Sequence, residues 1–409
     1  MSGAAVASAL RARSVWLDEP LDLLAVAGAD GWLWEREHSG LAGRGCAARL
    51  ALPLGMGSVG SVATALASIE SADSVGVPGS GPIAVGALPF DRAAPASLVV
   101  PEVVVGRTAD GRCWLTTVGS ASLELSGIMP RDPDGFTLSS PVPHDEWMAM
   151  VEAAVAAIAR GAFGKVVLAR EVVVAANRPI DVPTVLRRLR SLYPGCTVVS
   201  APVAGGQFVA ASPETLIARS GLEVWSHPLA GTIPRSGDPA ADQALADGLL
   251  GSPKERAEHG WVVRDVESAL APWCSSLSVP DAPSIVALRN VSHLGTLVQG
   301  RLSPGAPTAL ELAALLHPTA AVGGTPRGPA LEWLGAHERL DRGPYAGPVG
   351  WVDSRGDGQY AVGIRSAVVD GASARLFAGV GVVEGSEPAA ELAETQFKLQ
   401  ALLAAVVRP

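Results

Sequence analysis

Near its C-terminus the chain runs Ala378-Gly379-Val380-Gly381-Val382-Val383-Glu384-Gly385-Ser386-Glu387-Pro388, and this stretch restricts the fold more than any other. Its first half reads as a buried apolar strand broken by glycines, which let another group come close to the backbone. Ser386-Glu387-Pro388 then reads as a helix start, with a capping serine, an acid in the first turn, and a proline where no amide donor is missed. Along that helix Glu391, Glu394 and Lys398 fall at i, i+3 and i+7, which is one face. A glycine-lined strand feeding such a helix suits an anionic ligand held together with a metal. Read alone, the same pattern also describes a solvated helix face with an internal Glu394–Lys398 pair. A second Glu-x-x-Glu, Glu255 with Glu258 on a helix that opens at Ser252-Pro253, changes the balance. Two such pairs supply the hard oxygen ligands that Mg²⁺ prefers, with water and substrate completing an octahedron.

The remaining segments alternate between strand and helix patterns. Residues 1–140 read as strands and turns, with a hairpin over Gly28–His38, edge strands around Pro101 in Leu98–Val105, a hairpin turn at Asp110-Gly111 and a small-residue helix over Ser58–Ser71. This part carries no titratable cluster and is expected to be scaffold, with residues 141–409 as the catalytic region of one compact domain. Asp145 reads as the cap of a helix ending near Arg160. The β-branched run Phe163–Val174 reads as a strand with Lys165 at its start. Glu214 follows a proline inside the apolar run Gln207–Ala218. Such an acid is either an exposed turn residue or a desolvated group that holds a proton near neutral pH. Trp225–Thr232 reads as a strand ending in the turn Gly231-Thr232, Val291–Thr296 as a strand carrying His293, and Tyr360–Ala367 as a strand with Arg365 among apolar neighbours. That arginine needs a carboxylate, from the protein or from a ligand.

Composition excludes several classes. At 409 residues with 48% hydrophobic residues the chain can bury a large core. A net charge of −9 repels nucleic acid and anionic membranes. Cys46, Cys113, Cys196 and Cys274 lie far apart with no C-x-x-C, which argues against a local zinc cluster and for reduced thiols in a cytoplasmic protein. There is no Walker loop, no dinucleotide fingerprint and no HExxH.

The blocks KVVLAR, ASPE, PLAGT, KERAEH, SHLGT, LHPTAAVGGTP, YAGPVGW, AVGIRSA, AGVGVVEGS and ELAETQFK, in this order, resemble the chorismate-utilising enzymes, which include isochorismate, salicylate, anthranilate and aminodeoxychorismate synthases. The resemblance is strong over residues 140–409 and weak before them. It implies an α/β fold with two roughly orthogonal β-sheets flanked by helices and an active site in the cleft between them. It also implies Mg²⁺ held by Glu258 and Glu394, with Glu255 and Glu391 supporting through water. Arg365 and Tyr345 would take the carboxylate of the enolpyruvyl arm of chorismate. Backbone amides near Gly379 and Gly381, with Lys398, would complete anion binding, and Gly231, Thr232 and His293 would line the ring. The ammonia-using branches lack a lysine at position 165. Its presence therefore implies water as nucleophile, Lys165 as a base with a depressed pKa, and Glu214 as the acid that protonates the departing C4 hydroxyl. Ala321 stands where the lyase and amination branches carry threonine, which points to isochorismate as the product rather than salicylate. A catalytically silent homologue is the alternative of another class. No amidotransferase subunit is expected, and a monomer is.

Overall fold

The computed structural model describes residues 10–123 and 132–407, without the side chain of Ala401. Its centre is a long antiparallel pair, Lys165–Ala176 against Ser373–Val382, in register from Val166 opposite Val382 to Ala175 opposite Ser373. Alternation along these strands sorts their residues by face. On one strand Val166 and Leu168, and on the other Val380 and Val382, pack under the helices His144–Ala159 and Arg327–His337. Lys165, Val167, Gly379 and Gly381 therefore emerge on the opposite face, where they line a cleft.

This pair belongs to a thirteen-stranded sheet among the described residues, and a second sheet of nine strands packs across it. Trp34, Val199 and Phe208 of the first sheet meet Leu98, Leu216, Val349 and Trp351 of the second in the main core. The outer face of the first sheet is covered by the helices Val182–Leu192 and Pro388–Val407, through Val185, Leu186, Leu189, Leu399 and Leu402. A third, three-stranded sheet is formed by Leu229–Pro234, Val291–Gly295 and Ser284–Ala287. No helix among the described residues is long and apolar enough to cross a membrane.

Strands from residues 1–140 enter both large sheets, and several sequence expectations change here. Leu98–Val105 is not an edge. Ala96–Val100 lies in the second sheet and Val103–Arg107 inside the first, and Pro101 makes the crossing where no ladder bond is needed. The first hairpin turns at Glu37-His38, both with positive φ. The small-residue helix spans only Gly60–Ala67, because Glu70–Asp73 pairs with Arg11–Trp16 as a strand. Asp145 sits inside the first turn of its helix, with Pro143 at the cap position. Gln207–Ala218 divides at Pro213-Glu214 into Gly206–Ser212 of the first sheet and Thr215–Ser220 of the second. Trp225–Thr232 divides in the same way at Pro228.

Candidate active site

The cleft is built from both acidic helices, the glycine strand and the corners between sheets. Lys165, Glu214, Gly231, Thr232, Glu255, Glu258, His293, Ala321, Tyr345, Arg365, Gly379, Gly381, Glu391, Glu394 and Lys398, every site residue expected from the sequence, border it together. The Glu255 helix starts as the sequence indicates, with Ser252 accepting the Glu255 amide and Pro253 in the first turn. The second acidic helix starts differently. Helical residues begin at Pro388, and the Ser386 hydroxyl accepts the Val383 amide and bonds the Glu391 carboxylate instead of capping the helix. Ser386 therefore fixes an acid of the cleft rather than the helix end.

The carboxylates face a set of cations. Glu258 Oε1 accepts Lys165 Nζ at 2.6 Å, and Glu394 Oε1 accepts Lys398 Nζ at 2.7 Å. Lys398 also donates to the Gly379 carbonyl at 2.9 Å. Burial pushes the Glu258 pKa up, but the charges of Lys165, Lys398 and Lys254 and the Lys165 hydrogen bond bring it below the usual carboxylate value. Glu255 and Glu391 go the other way. Burial and the neighbouring carboxylates raise both, Glu391 to about 6. Among the described residues no group of three acidic, histidine or cysteine side chains has metal-site geometry. The four acids are instead held by lysines. A site where carboxylates crowd enough to raise one another's pKa values is short of positive charge, and its all-oxygen donor set fits Mg²⁺. Lys254 had no role in the sequence reading, although its i, i+4 spacing to Glu258 places both on one helix face.

The two glycines explain themselves by what a side chain would meet. A Cβ on Gly381 would lie 2.7 Å from Lys165 Cε and 2.9 Å from Glu258 Oε1, and one on Gly379 would lie 2.7 Å from the Tyr345 hydroxyl. Gly231 has φ +71°, and its Cβ would meet Glu255 Oε2 at 2.9 Å.

Glu214 sits at the corner where the chain leaves the first sheet for the second, and it is 3% exposed. Burial raises its pKa to about 8, against an opposing Leu229 amide and the charge of Lys165. It is the desolvated acid of the two alternatives. Lys165 is 2% exposed, and the Glu258 contact occupies its amine. Tyr345 lies in a turn. Its ring is stacked on Phe377 at 5.3 Å, and burial pushes its hydroxyl up to about 12.

Arg365 breaks the expected strand. It occupies the bend between Gly358–Val362 and Ser366–Asp370 with φ +52°, and this left-handed turn aims its side chain at the cleft. Its Nη2 lies 3.2 Å from His293 Nε2, and no carboxylate pairs with it among the described residues. Because the guanidinium only donates, Nε2 accepts, which assigns the proton to Nδ1 of His293. Nδ1 then donates to the Gly231 carbonyl at 3.0 Å, with Thr232 Oγ1 at 3.1 Å. Burial and Arg365 together drop the His293 pKa to about 3, so the ring is neutral.

Comparison with known proteins gives a single answer. The family model described as chorismate binding enzyme matches residues 129–407. Isochorismate synthase DhbC of Bacillus subtilis is 40% identical over 336 residues, which is 80% of this chain and 81% of the relative. Isochorismate synthase MenF of the same organism is 34% identical over 334 residues, covering 78% and 71%. The solved structure of MenF, the menaquinone-specific isochorismate synthase from Escherichia coli, superposes with a TM-score of 0.83 at 24% identity over 98% of this chain and 95% of that one, which shows the shared fold. The family match over residues 129–407, with a relative 40% identical across four fifths of both chains, places this protein in the chorismate-binding enzyme family.

Proposed function

We propose that the chain converts chorismate to isochorismate, by addition of water at C2 and departure of the C4 hydroxyl. The observation that carries this reading is the pairing of opposite roles in one cleft. Glu214 is buried and protonated at neutral pH, and the side chain of Lys165 faces the same cavity, paired with Glu258. A reaction that adds water at one ring carbon and expels hydroxyl at another needs one group to take a proton and one to give it. Glu214 gives its proton to the leaving oxygen, and its pKa of about 8 keeps that proton available at neutral pH. Lys165 takes the proton from water as a neutral amine, which requires that it first leave the ion pair with Glu258 and give its ammonium proton to solvent.

Substrate recognition follows from the same residues. Chorismate carries two carboxylates. Arg365 lacks a protein carboxylate and, with Tyr345, holds the one on the enolpyruvyl arm in a charge-assisted contact. Neutral His293 anchors the Arg365 guanidinium without competing for its charge. Glu258 and Glu394 would hold Mg²⁺, with Glu255 and Glu391 beside them, and the metal when bound would neutralise the ring carboxylate against this acidic wall. Lys398 bridges Glu394 and the Gly379 carbonyl, fixing the acidic helix to the glycine strand that floors the cleft. Ala321 presents a methyl group where a hydroxyl would assist elimination, which supports release of isochorismate itself. The protein works as a soluble cytoplasmic monomer, without an amidotransferase subunit. Incubation with chorismate and Mg²⁺, with and without ammonium, tests the reading by product separation. Isochorismate alone supports it, whereas salicylate with stoichiometric pyruvate, or an aminated ring, contradicts it.

A further inference from the structure

The strand that carries Lys165 is incompletely paired on the side away from Ser373–Val382. Gly324-Thr325 covers Lys165 and Val166, and Phe136–Ser139 covers Val173–Ala176. Between them no strand pairs on that side among the described residues. Backbone groups in such a gap must find other partners. The Val167 amide reaches the Gly323 carbonyl at 2.9 Å. The Val167 carbonyl accepts Arg342 Nη2 at 2.6 Å, the Ala169 amide donates to Glu338 Oε1 at 2.8 Å, and the Ala169 carbonyl accepts Trp147 Nε1 at 3.0 Å. Side chains thus replace the missing strand.

Arg342 and Glu338 form the centre of this patch. Their side chains are 3% and 5% exposed, and they meet twice, Nε to Oε2 at 2.6 Å and Nη2 to Oε1 at 2.7 Å. Arg342 Nη1 donates to the Val322 carbonyl at 2.9 Å, next to Ala321. Its guanidinium lies 4.1 Å from the Phe90 ring centroid and 5.9 Å from that of Tyr345, and its own carbonyl accepts the Tyr345 amide at 2.9 Å. One ion pair therefore touches the Lys165 strand, the Ala321 loop and the Tyr345 turn. Neither side chain borders the cleft.

We infer that Arg342 and Glu338 are positioning residues, a buried staple that fixes Lys165 relative to Tyr345 and Ala321. The inference rests on the roles assigned to those three residues above. A side chain that anchors a reacting group through its backbone acts on alignment, and a displacement of about 1 Å in such a group costs roughly 100-fold in rate. Of the groups assigned to substrate binding, Arg365 and the four glutamates lie on other elements, and only Tyr345 is joined to the staple, through the backbone bond from its amide to the Arg342 carbonyl. The staple therefore governs kcat more than KM.

The test compares Glu338→Gln, Arg342→Lys and Arg342→Gln with the unsubstituted protein, measuring kcat and KM for chorismate together with hydrogen exchange resolved by peptide. Expected for Glu338→Gln and Arg342→Gln is a kcat about 10- to 100-fold lower with KM within about threefold. Exchange should accelerate in peptides spanning residues 165–171 and remain unchanged in those spanning residues 206–212. Arg342→Lys keeps the charge but has three donors on one atom where the Arg342 fork makes four hydrogen bonds, so its kcat should fall between the unsubstituted protein and Arg342→Gln. An unchanged kcat, a loss expressed in KM alone, or faster exchange throughout the chain would overturn the inference. If the unsubstituted protein makes no isochorismate, the proposed function fails instead. The local exchange pattern then decides whether the staple holds the Lys165 strand.

Discussion

Replacing Glu214 by glutamine separates the cost of burying this acid from its use. The carboxyl group has a pKa of about 8 in the folded chain and an ordinary value of 4.5. A folded-state pKa raised in this way leaves stability untouched below the unfolded value, and stability is then lost as pH rises toward the folded value. Within that window each pH unit costs about 1.4 kcal/mol, so unsubstituted protein should lose about 2.5 kcal/mol between pH 5 and 7 on account of Glu214. Glutamine keeps the shape and the acceptor for the Leu229 amide but does not titrate. The variant should therefore match the unsubstituted protein in urea-melt midpoint near pH 4.5 and exceed it increasingly up to pH 8. Its kcat should fall by roughly 10²- to 10⁴-fold, the usual worth of a positioned general acid. Urea melts at four pH values, paired with initial rates, measure both quantities on the same preparations. A stability difference that does not grow with pH would refute the buried, protonated Glu214. Retained activity would refute its role as acid.

Other residues give independent checks. Gly381→Ala should lower kcat by about 100-fold or more while far-ultraviolet circular dichroism stays unchanged, because its methyl group would displace Lys165 and Glu258. Arg365→Gln should raise KM for chorismate about 10- to 100-fold, the loss of one charge-assisted contact, and a steady-state KM within twofold of the original would count against that contact. Glu394→Ala should weaken Mg²⁺ binding measured by calorimetry on the chain without substrate, while the melting temperature changes little because Glu394 is partly exposed. Unaltered Mg²⁺ affinity would move the metal elsewhere.

Much of the cleft was legible because its residues lie on regular elements. The helix spacing of Glu255 with Glu258, and of Glu391 with Glu394 and Lys398, places each set on one face wherever the helices pack. The alternation of the strand Ser373–Val382 likewise puts both glycines on the side opposite Val380 and Val382. What escaped was the geometry at breaks. Arg365 reads as a strand residue because the β-branched Val362 and Ile364 precede it, yet its positive φ follows from the turn between two strands of different sheets. Glu214 was ambiguous for the same reason, since Pro213 signals a turn but not its burial. The lysine–carboxylate pairs were partly visible. Glu394–Lys398 follows from helix spacing, whereas Lys165–Glu258 joins residues 93 positions apart and depends on tertiary packing. Glu338 and Arg342 stand at i, i+4, which signals only a local ion pair, whereas their backbone partners on the Lys165 strand depend on tertiary packing.

The central claim is that water from the medium attacks the ring and that Glu214 releases the original hydroxyl. Turnover in ¹⁸O-labelled water, followed by mass spectrometry of the isochorismate formed, tests it most directly. One ¹⁸O atom is expected in each product molecule from a single forward conversion, located at C2. Product of unchanged mass would mean that the hydroxyl migrates within the substrate, which would contradict both the base assigned to Lys165 and the acid assigned to Glu214.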